Sequence, residues 1–252
     1  MKASPRIAFL HIPKTAGQSI HHQISTMYDS DEICPARTND QLYKMNISDI
    51  KKYNFFSGHL DWSIIKLAGP FDYTFTVTRD PIDRIISFYF YIAKEAKRFL
   101  KAGSKLPPGM IFCHDSSLEE YFNAKDNNMR QFILDHYDNF YSYYFASGTY
   151  SGNRLLVNNL SGDDILRLAL INCKSLSKIY DISELENIKN EIESKFSVTL
   201  PELQEINKNL LSTPNSRSKE LDLLAQGWNW KAKFSELSKL DYQLLNRLRA
   251  TG

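Results

Sequence analysis

Two segments of this 252-residue chain share one pattern, in which an apolar run ends in a tight turn and a stretch with helical spacing follows. The first is residues 11–19, after the apolar residues 7–10, and the second is residues 79–87, after the β-branched and aromatic residues 71–78. Each pattern predicts a buried strand, a turn and a helix. Such turns present backbone N–H groups and a helix N-terminus to an anion. Two of them in one chain predict a ligand with phosphate groups at two separate places.

The first turn combines one cation with small and hydroxyl-bearing residues. Lys14 and Thr15 are adjacent, Gly17 permits a close approach of the backbone, and Ser19 offers a second hydroxyl. This composition predicts a phosphate-binding turn. It does not match the loop of the nucleoside triphosphatases, G-x-x-x-x-G-K-[ST], and the sequence has no G-x-G-x-x-G fingerprint of dinucleotide-binding folds. Taken alone, the segment is also compatible with an ordinary strand-to-helix turn.

The second segment has clear signals for the start of a helix. Asp80 is a good N-cap and Pro81 a good first helical residue. Apolar side chains then recur with helical spacing and predict a face that points to the core. Arg79 and Ser87 would converge on one phosphate, the first through its planar guanidinium and the second through its hydroxyl. The alternative is an arginine in a salt bridge and a solvated serine.

Together and in this order, the two segments resemble the nucleotide-binding signature of the PAPS-dependent sulfotransferases, where PAPS is 3′-phosphoadenosine 5′-phosphosulfate. Within that superfamily the chain is most similar to the carbohydrate branch, which includes the uronyl 2-O-sulfotransferases. The resemblance implies that six consecutive residues bind the 5′-phosphosulfate: Lys14, Thr15, Ala16, Gly17, Gln18 and Ser19. Gln18 stands where the family usually has a small hydroxyl residue. It further implies that Arg79 and Ser87 bind the 3′-phosphate and that Lys14 stabilises the bridging oxygen as the sulfuryl group leaves.

A histidine follows a third strand-like run, residues 54–59, which ends in Gly58-His59. Ligands of open parallel sheets gather beyond the carboxyl ends of the strands, so we expect His59 beside Lys14 and Arg79. Imidazole titrates near neutral pH and therefore suits proton abstraction. The carbohydrate 2-O-sulfotransferases carry a Gly-His here whose histidine is the catalytic base, and the resemblance implies that role for His59. A structural histidine at a strand end is the alternative.

The C-terminal third contains another predicted nucleotide-binding segment. Residues 205–218 are polar, basic and interrupted by proline. Family members close a loop of this type over the nucleotide, which implies contacts from Lys208, Ser216 and Arg217; a solvated linker is the alternative. The whole chain, 1–252, is expected to form a single sulfotransferase domain with a helical insertion at about residues 101–160.

Charge and cysteine content limit the partners and the compartment. The 31 basic and 29 acidic residues give a net charge of +2, too small to predict a nucleic-acid-binding protein. The three cysteines are widely separated and show no metal-ligand spacing, which predicts reduced thiols and no metal site. No apolar run is long enough to span a membrane, and the first predicted strand begins too early to leave room for a signal peptide. We therefore expect a cytoplasmic protein of bacterial origin.

The expected fold is α/β, with three layers, a mainly parallel central sheet of the kind found in P-loop nucleoside triphosphatases and sulfotransferases, and a helical insertion. The expected reaction is in-line transfer of a sulfuryl group from PAPS to the hydroxyl group of a glycan or small molecule, with PAP as product and no metal. Two alternatives stay open at this point. One is a small-molecule kinase with a divergent phosphate loop, and the other is a nucleotide-binding protein without catalytic activity.

Overall fold

The computed structural model of the chain describes residues 4–204 and 214–251, so the predicted nucleotide contact Lys208 lies outside the described residues. In these ranges the strands are β1 (Ile7–Leu10), β2 (Phe55–Gly58), β3 (Tyr73–Thr78) and β4 (Lys178–Asp181). The helices are α1 (Gly17–Ser25), α2 (Asn39–Leu42), α3 (Ile47–Ile50), α4 (Trp62–Ile65), α5 (Pro81–Lys101), α6 (Pro108–Asp115), α7 (Leu118–Phe122), α8 (Asn127–Tyr137), α9 (Phe140–Ser147), α10 (Gly162–Cys173), α11 (Leu185–Phe196), α12 (Pro214–Ala225), α13 (Trp230–Leu237) and α14 (Lys239–Thr251). Short 3₁₀ turns occur at Lys66–Ala68, Asn153–Leu156 and Ile182–Glu184.

The described strands form one sheet in the order β2-β1-β3-β4, and every pair is parallel. Leu10, the last residue of β1, pairs with Gly58 of β2 and with Thr76 of β3. The turn after β1 therefore lies between the ends of its two neighbours, at one edge of the sheet. This arrangement confirms the expected α/β fold with a parallel central sheet.

Each face of the sheet is covered by helices. On one face, Phe9 and Phe75 stack with their ring centroids 4.8 Å apart, and isoleucines of α1 and α11 complete this cluster. On the other face, Leu10 and Phe56 lie with Trp62 of α4 around a small apolar cavity. The sheet is thus the middle of three layers, and removal of these apolar side chains from water is the main contribution to its stability.

The described chain separates into two compact units, each made from two parts of the sequence. Among the described residues, unit 1 comprises 4–79 and 143–204 and contains the sheet, whereas unit 2 comprises 80–142 and 214–251 and is helical. The chain passes from one to the other directly after Arg79 and again inside α9. Helices α6 to α9 fall within the expected insertion at 101–160, and the single domain with this insertion stays a prediction.

Unit 2 has an aromatic core. The predicted apolar face of α5 is confirmed, since Ile85 and Tyr89 are buried against α7 and other helices of this unit. Phe122 lies at the centre, with its ring 5.0 Å from that of Tyr137 and 4.7 Å from that of Phe234. Edge-to-face contacts of this kind fix the relative orientation of the helices as well as burying apolar area.

A carboxylate is fully enclosed in unit 2. Asp241 accepts hydrogen bonds from the Ser142 backbone N–H and hydroxyl, both at 2.8 Å, and from the Tyr141 N–H at 3.2 Å. The guanidinium of Arg84 is equally buried; it donates to the His136 carbonyl at 2.8 Å and lies 4.6 Å from the ring centroid of Phe140. Burial raises the pKa of Asp241 to about 6, although the hydrogen bonds and Arg84 act in the opposite direction.

This raised pKa predicts an unusual dependence of stability on pH. Because folded Asp241 binds a proton below about pH 6 and an unfolded aspartate only near pH 4, its contribution to the free energy of unfolding rises as the pH falls through this window. Between pH 7 and pH 4, the free energy of unfolding of wild type minus that of Asp241→Asn is expected to rise by at most about 3 kcal/mol. Urea unfolding of both proteins at pH 7, 6, 5 and 4 measures this quantity. If it stays constant or falls towards pH 4, the assignment is contradicted.

Candidate functional site

The turn between β1 and α1 has a backbone suited to anions. Lys14 and Ala16 both have a left-handed conformation, with φ of 72° and 62°. Thr15, between them, is fully buried, and its hydroxyl donates to the Ile12 carbonyl at 2.8 Å, which closes the turn. Left-handed residues in such turns direct backbone N–H groups into a shared concavity. Ala16 is also the N-cap of α1 and has no polar side chain, so a ligand can use the first N–H groups of the helix.

Gly17 is required by the packing of the first turn. A Cβ at this position would lie 1.8 Å from Cδ2 of His11, because the imidazole rests directly on the glycine. Burial, and then the neighbouring histidines and cations, lower the pKa of His11 well below its ordinary value, so this imidazole is neutral at physiological pH. Ser19 lies two residues further along α1 and is buried, while Gln18 is exposed.

Arg79 connects the second predicted motif with the first. It follows β3 directly, and its Nη1 donates to the Lys14 carbonyl at 3.2 Å. Both residues are partly buried in unit 1, at the edge of the sheet that the parallel register defines. Arg79 of the second predicted phosphate-binding segment therefore contacts Lys14 of the first.

In unit 2, an arginine from the C-terminal region lies next to the beginning of α5. Asp80 caps the helix by accepting from the Asp83 N–H at 2.9 Å, as its sequence predicts. A guanidinium nitrogen of Arg217, from α12, lies 3.7 Å from the Asp83 carboxylate. Ser87 follows one helical turn later and is mostly buried. Ser216 precedes Arg217 in α12. Arg79 and Ser87 belong to different units, and their convergence on one phosphate stays a prediction.

His59 lies at the same edge of the sheet as Lys14, directly after β2. Its Nδ1 is 3.0 Å from the His11 carbonyl oxygen, and its backbone N–H donates to the Arg37 carbonyl at 2.9 Å. A carbonyl oxygen only accepts, so we assign the hydrogen of neutral His59 to Nδ1, which leaves the lone pair on Nε2. The imidazole is flanked by two rings, with centroids 4.3 Å away for His11 and 5.3 Å away for Tyr150.

Arg37 is a cation near this site that sequence reasoning missed. Its segment runs parallel to β2, with a bridge between Thr38 and His59. The approach is so close that a Cβ on Gly58 would lie 2.7 Å from the Arg37 carbonyl oxygen. The guanidinium contacts Nδ1 of His21; burial and then Arg37 lower the pKa of His21 to about 4. Nothing in the spacing of the sequence marks Arg37, because long-range pairing places it.

The described parts of the chain contain neither a metal-ligand cluster nor a membrane-spanning helix. Residues 4–204 and 214–251 contain no group of three His, Cys, Asp or Glu placed to hold a metal ion. No helix in the described parts combines the length and apolar character needed to cross a bilayer. The three cysteines are buried free thiols.

Comparison with known proteins adds two findings. A family model described as "Sulfotransferase family" matches residues 1–245. A protein named "Protein-tyrosine sulfotransferase", from Arabidopsis thaliana, is 36% identical over 94 residues. This match covers 36% of the present chain and 18% of that relative, so the aligned part spans less than a fifth of the relative's length.

Proposed function

The chain belongs to the sulfotransferase family, and from this premise we propose that it transfers a sulfuryl group from PAPS to a hydroxyl group of a carbohydrate. The observation that carries the proposal is the hydrogen bond from Arg79 to the Lys14 carbonyl. It joins the two segments that the sequence assigns to a ligand with two phosphate groups. A ligand phosphorylated once would use only one of them.

The residues at the edge of the sheet fit such a nucleotide. The left-handed Lys14 and Ala16 and the start of α1 provide backbone N–H groups for a 5′-phosphosulfate. As the resemblance implies, Arg79 and Ser87 are assigned to the 3′-phosphate, and Ser216 and Arg217 to the segment that closes over the nucleotide. When bound, PAPS would supply the sulfuryl group and PAP would leave as the product.

His59 is the proposed base. Its Nε2 would take the proton of the acceptor hydroxyl while the acceptor oxygen bonds to sulfur. The electron pair of the broken sulfur–oxygen bond would remain on the leaving phosphate, where Lys14 stabilises the growing charge. The contact between His59 Nδ1 and the His11 carbonyl supports this role, because it orients the imidazole and selects the required tautomer.

A carbohydrate is the proposed acceptor because of the Gly58-His59 resemblance and because an unactivated alcohol needs a base. The hydroxyl group of a protein tyrosine is the second candidate, and the similarity to a protein named as a tyrosine sulfotransferase favours it. The buried free thiols support the cytosol as the predicted compartment.

A transfer assay tests the proposal. The chain is incubated with sulfur-labelled PAPS and with separate pools of uronic-acid glycans, neutral glycans, tyrosine peptides and lipid alcohols. We expect label in a glycan pool, with PAP released in equal amount. Label in the tyrosine peptides alone would replace the carbohydrate with the second candidate. Absence of transfer to every pool, with PAP still bound, would favour a nucleotide-binding protein without catalytic activity.

Arg79→Ala tests the nucleotide. Loss of a charge-assisted contact with the 3′-phosphate is expected to weaken PAP at least tenfold, since such contacts contribute about 1.5–3 kcal/mol. Adenosine 5′-phosphosulfate, which lacks that phosphate, should change little. Titration calorimetry measures both, with Arg167→Ala, an exposed arginine of α10, as the matched control. Equal losses for both nucleotides would remove the 3′-phosphate assignment, and tighter binding of ATP than PAP would favour a kinase.

His59→Ala tests the base. The variant is expected to lower kcat by about 10²–10⁴ and to keep wild-type affinity for PAP, because a base contacts the acceptor. His59→Gln should be nearly as inactive, since its amide does not take the proton. In the wild type, kcat should fall on the acid side as the imidazole becomes protonated, and this limb should be absent from the residual activity of the variants. His22→Ala, an exposed histidine of α1, is the control. A variant with more than a tenth of wild-type kcat and an intact acid limb would place the base elsewhere.

A further inference from the structure

A second buried carboxylate lies two residues after His59. Asp61 is only 2% exposed, and its Oδ1 accepts from the Asn39 side-chain amide at 2.7 Å and from the Tyr150 backbone N–H at 2.6 Å. Its Oδ2 accepts from the Tyr43 hydroxyl. The Asp61 backbone N–H donates in return to the Asn39 side-chain oxygen Oδ1 at 2.9 Å. One carboxylate thus connects three distant parts of unit 1.

The loop that contains Tyr150 is attached to the same stretch of chain at two further points. Gly148 accepts from the Ser63 backbone N–H at 3.0 Å, in a left-handed conformation with φ of 72°. The Tyr144 hydroxyl donates to the Leu60 carbonyl at 3.1 Å. The Asp61 carboxylate holds the backbone N–H of Tyr150 at 2.6 Å, and the Asn153 side-chain amide donates to the Tyr150 carbonyl at 3.4 Å.

The ring of Tyr150 is next to the proposed base. Its centroid is 5.3 Å from that of His59, with the two planes tilted by 32°. His59 is also held by the ring and carbonyl of His11. A ring of Tyr150 in this place restricts rotation of the imidazole and keeps Nε2 in a single direction.

We propose that Asp61 is a positioning residue for His59, which it orients by holding Tyr150 through the backbone N–H. The inference rests on the proposed function of His59 as the base. Asp61 itself is not the base, because both of its oxygens already accept hydrogen bonds and it is closed to solvent. A rigid neighbouring shell of this kind holds a reacting group within its productive geometry.

Substitutions at Asp61 separate positioning from chemistry. In Asp61→Asn, the carbonyl oxygen still accepts from Asn39 and Tyr150, and the amide donates to the Tyr43 hydroxyl oxygen. We expect its kcat within about fivefold of wild type. Asp61→Ala removes every one of these acceptors and is expected to lower kcat at least tenfold, with the KM for PAPS and the affinity for PAP preserved. Tyr43→Phe is the matched control, because it deletes one donor to Asp61 and leaves the Tyr150 contact in place.

A double variant tests the route through Tyr150. If Asp61 acts by holding this ring, Asp61→Ala adds nothing once the ring is removed. Asp61→Ala/Tyr150→Ala should therefore have a kcat within about threefold of Tyr150→Ala alone, whereas independent roles would multiply the two losses.

A spectroscopic measurement on the nucleotide-free protein makes the test independent of sulfuryl transfer. The C2 proton of His59 feels the ring current of Tyr150, and its resonance is identified by its loss in His59→Ala. We expect this resonance to move by a similar amount in Asp61→Ala and Tyr150→Ala, and to keep its wild-type position in Asp61→Asn, Tyr150→Phe and Tyr43→Phe.

Each outcome decides the proposal. If Asp61→Asn is as inactive as Asp61→Ala, the charge of the carboxylate has a chemical role and the positioning proposal is overturned. A His59 resonance unmoved in Asp61→Ala, or multiplying losses in the double variant, would overturn it as well. If Asp61→Ala does not fold, the other two variants decide. The proposal then requires that Asp61→Asn keeps the wild-type His59 resonance and kcat, and that Tyr150→Ala moves the resonance and lowers kcat. If wild type transfers no sulfuryl group, the proposed function fails, and the resonance arm alone still confirms or overturns the hold of Asp61 on Tyr150.

Discussion

Strand β1 pairs with β2 on one side and with β3 on the other, in parallel and with the ends of all three near one edge of the sheet. The carboxyl ends of parallel strands share an edge, so the residues that follow these strands become neighbours. The turn at Lys14, the base candidate His59 and the cation Arg79 come from segments up to 65 residues apart along the chain, as the hydrogen bond between Arg79 and Lys14 illustrates. Without this register, the residues of the predicted anion site would not be neighbours and the His11 carbonyl would not reach His59.

Two glycines allow the backbone and side chains to pack closely at that edge of the sheet. Gly17 lets the His11 imidazole rest on the first turn of α1, and Gly58 lets the segment of Arg37 run directly beside β2. The packed imidazole of His11 then presents its backbone carbonyl to His59. Glycines at two positions thus allow the close packing that brings His11 and Arg37 next to His59.

The electrostatics of the edge favour an anionic ligand. Burial keeps His11 and His21 neutral, so the positive charge there belongs to Lys14, Arg37 and Arg79. Cations grouped at a partly buried edge attract an anion, and the proposed nucleotide carries that charge. The proposed base His59 lies at the same edge of the sheet.

The elements that depend on local signals could be predicted from the sequence. The apolar run 7–10 coincides with β1, the run ending in Gly58-His59 contains β2, and Asp80 with Pro81 begins α5 where helix capping predicts it. These elements follow from side-chain periodicity and from hydrogen bonds between residues three positions apart, which are visible in a sequence.

The surroundings of His59, in contrast, depend on contacts between distant segments. The backbone of Arg37 reaches His59 through edge pairing with β2, and Asp61 holds Tyr150 across 89 residues of sequence. The division of the described chain into two units is likewise a property of long-range contacts. Contacts between distant residues leave no periodic pattern, because they depend on how the elements pack and not on the residues adjacent to each partner.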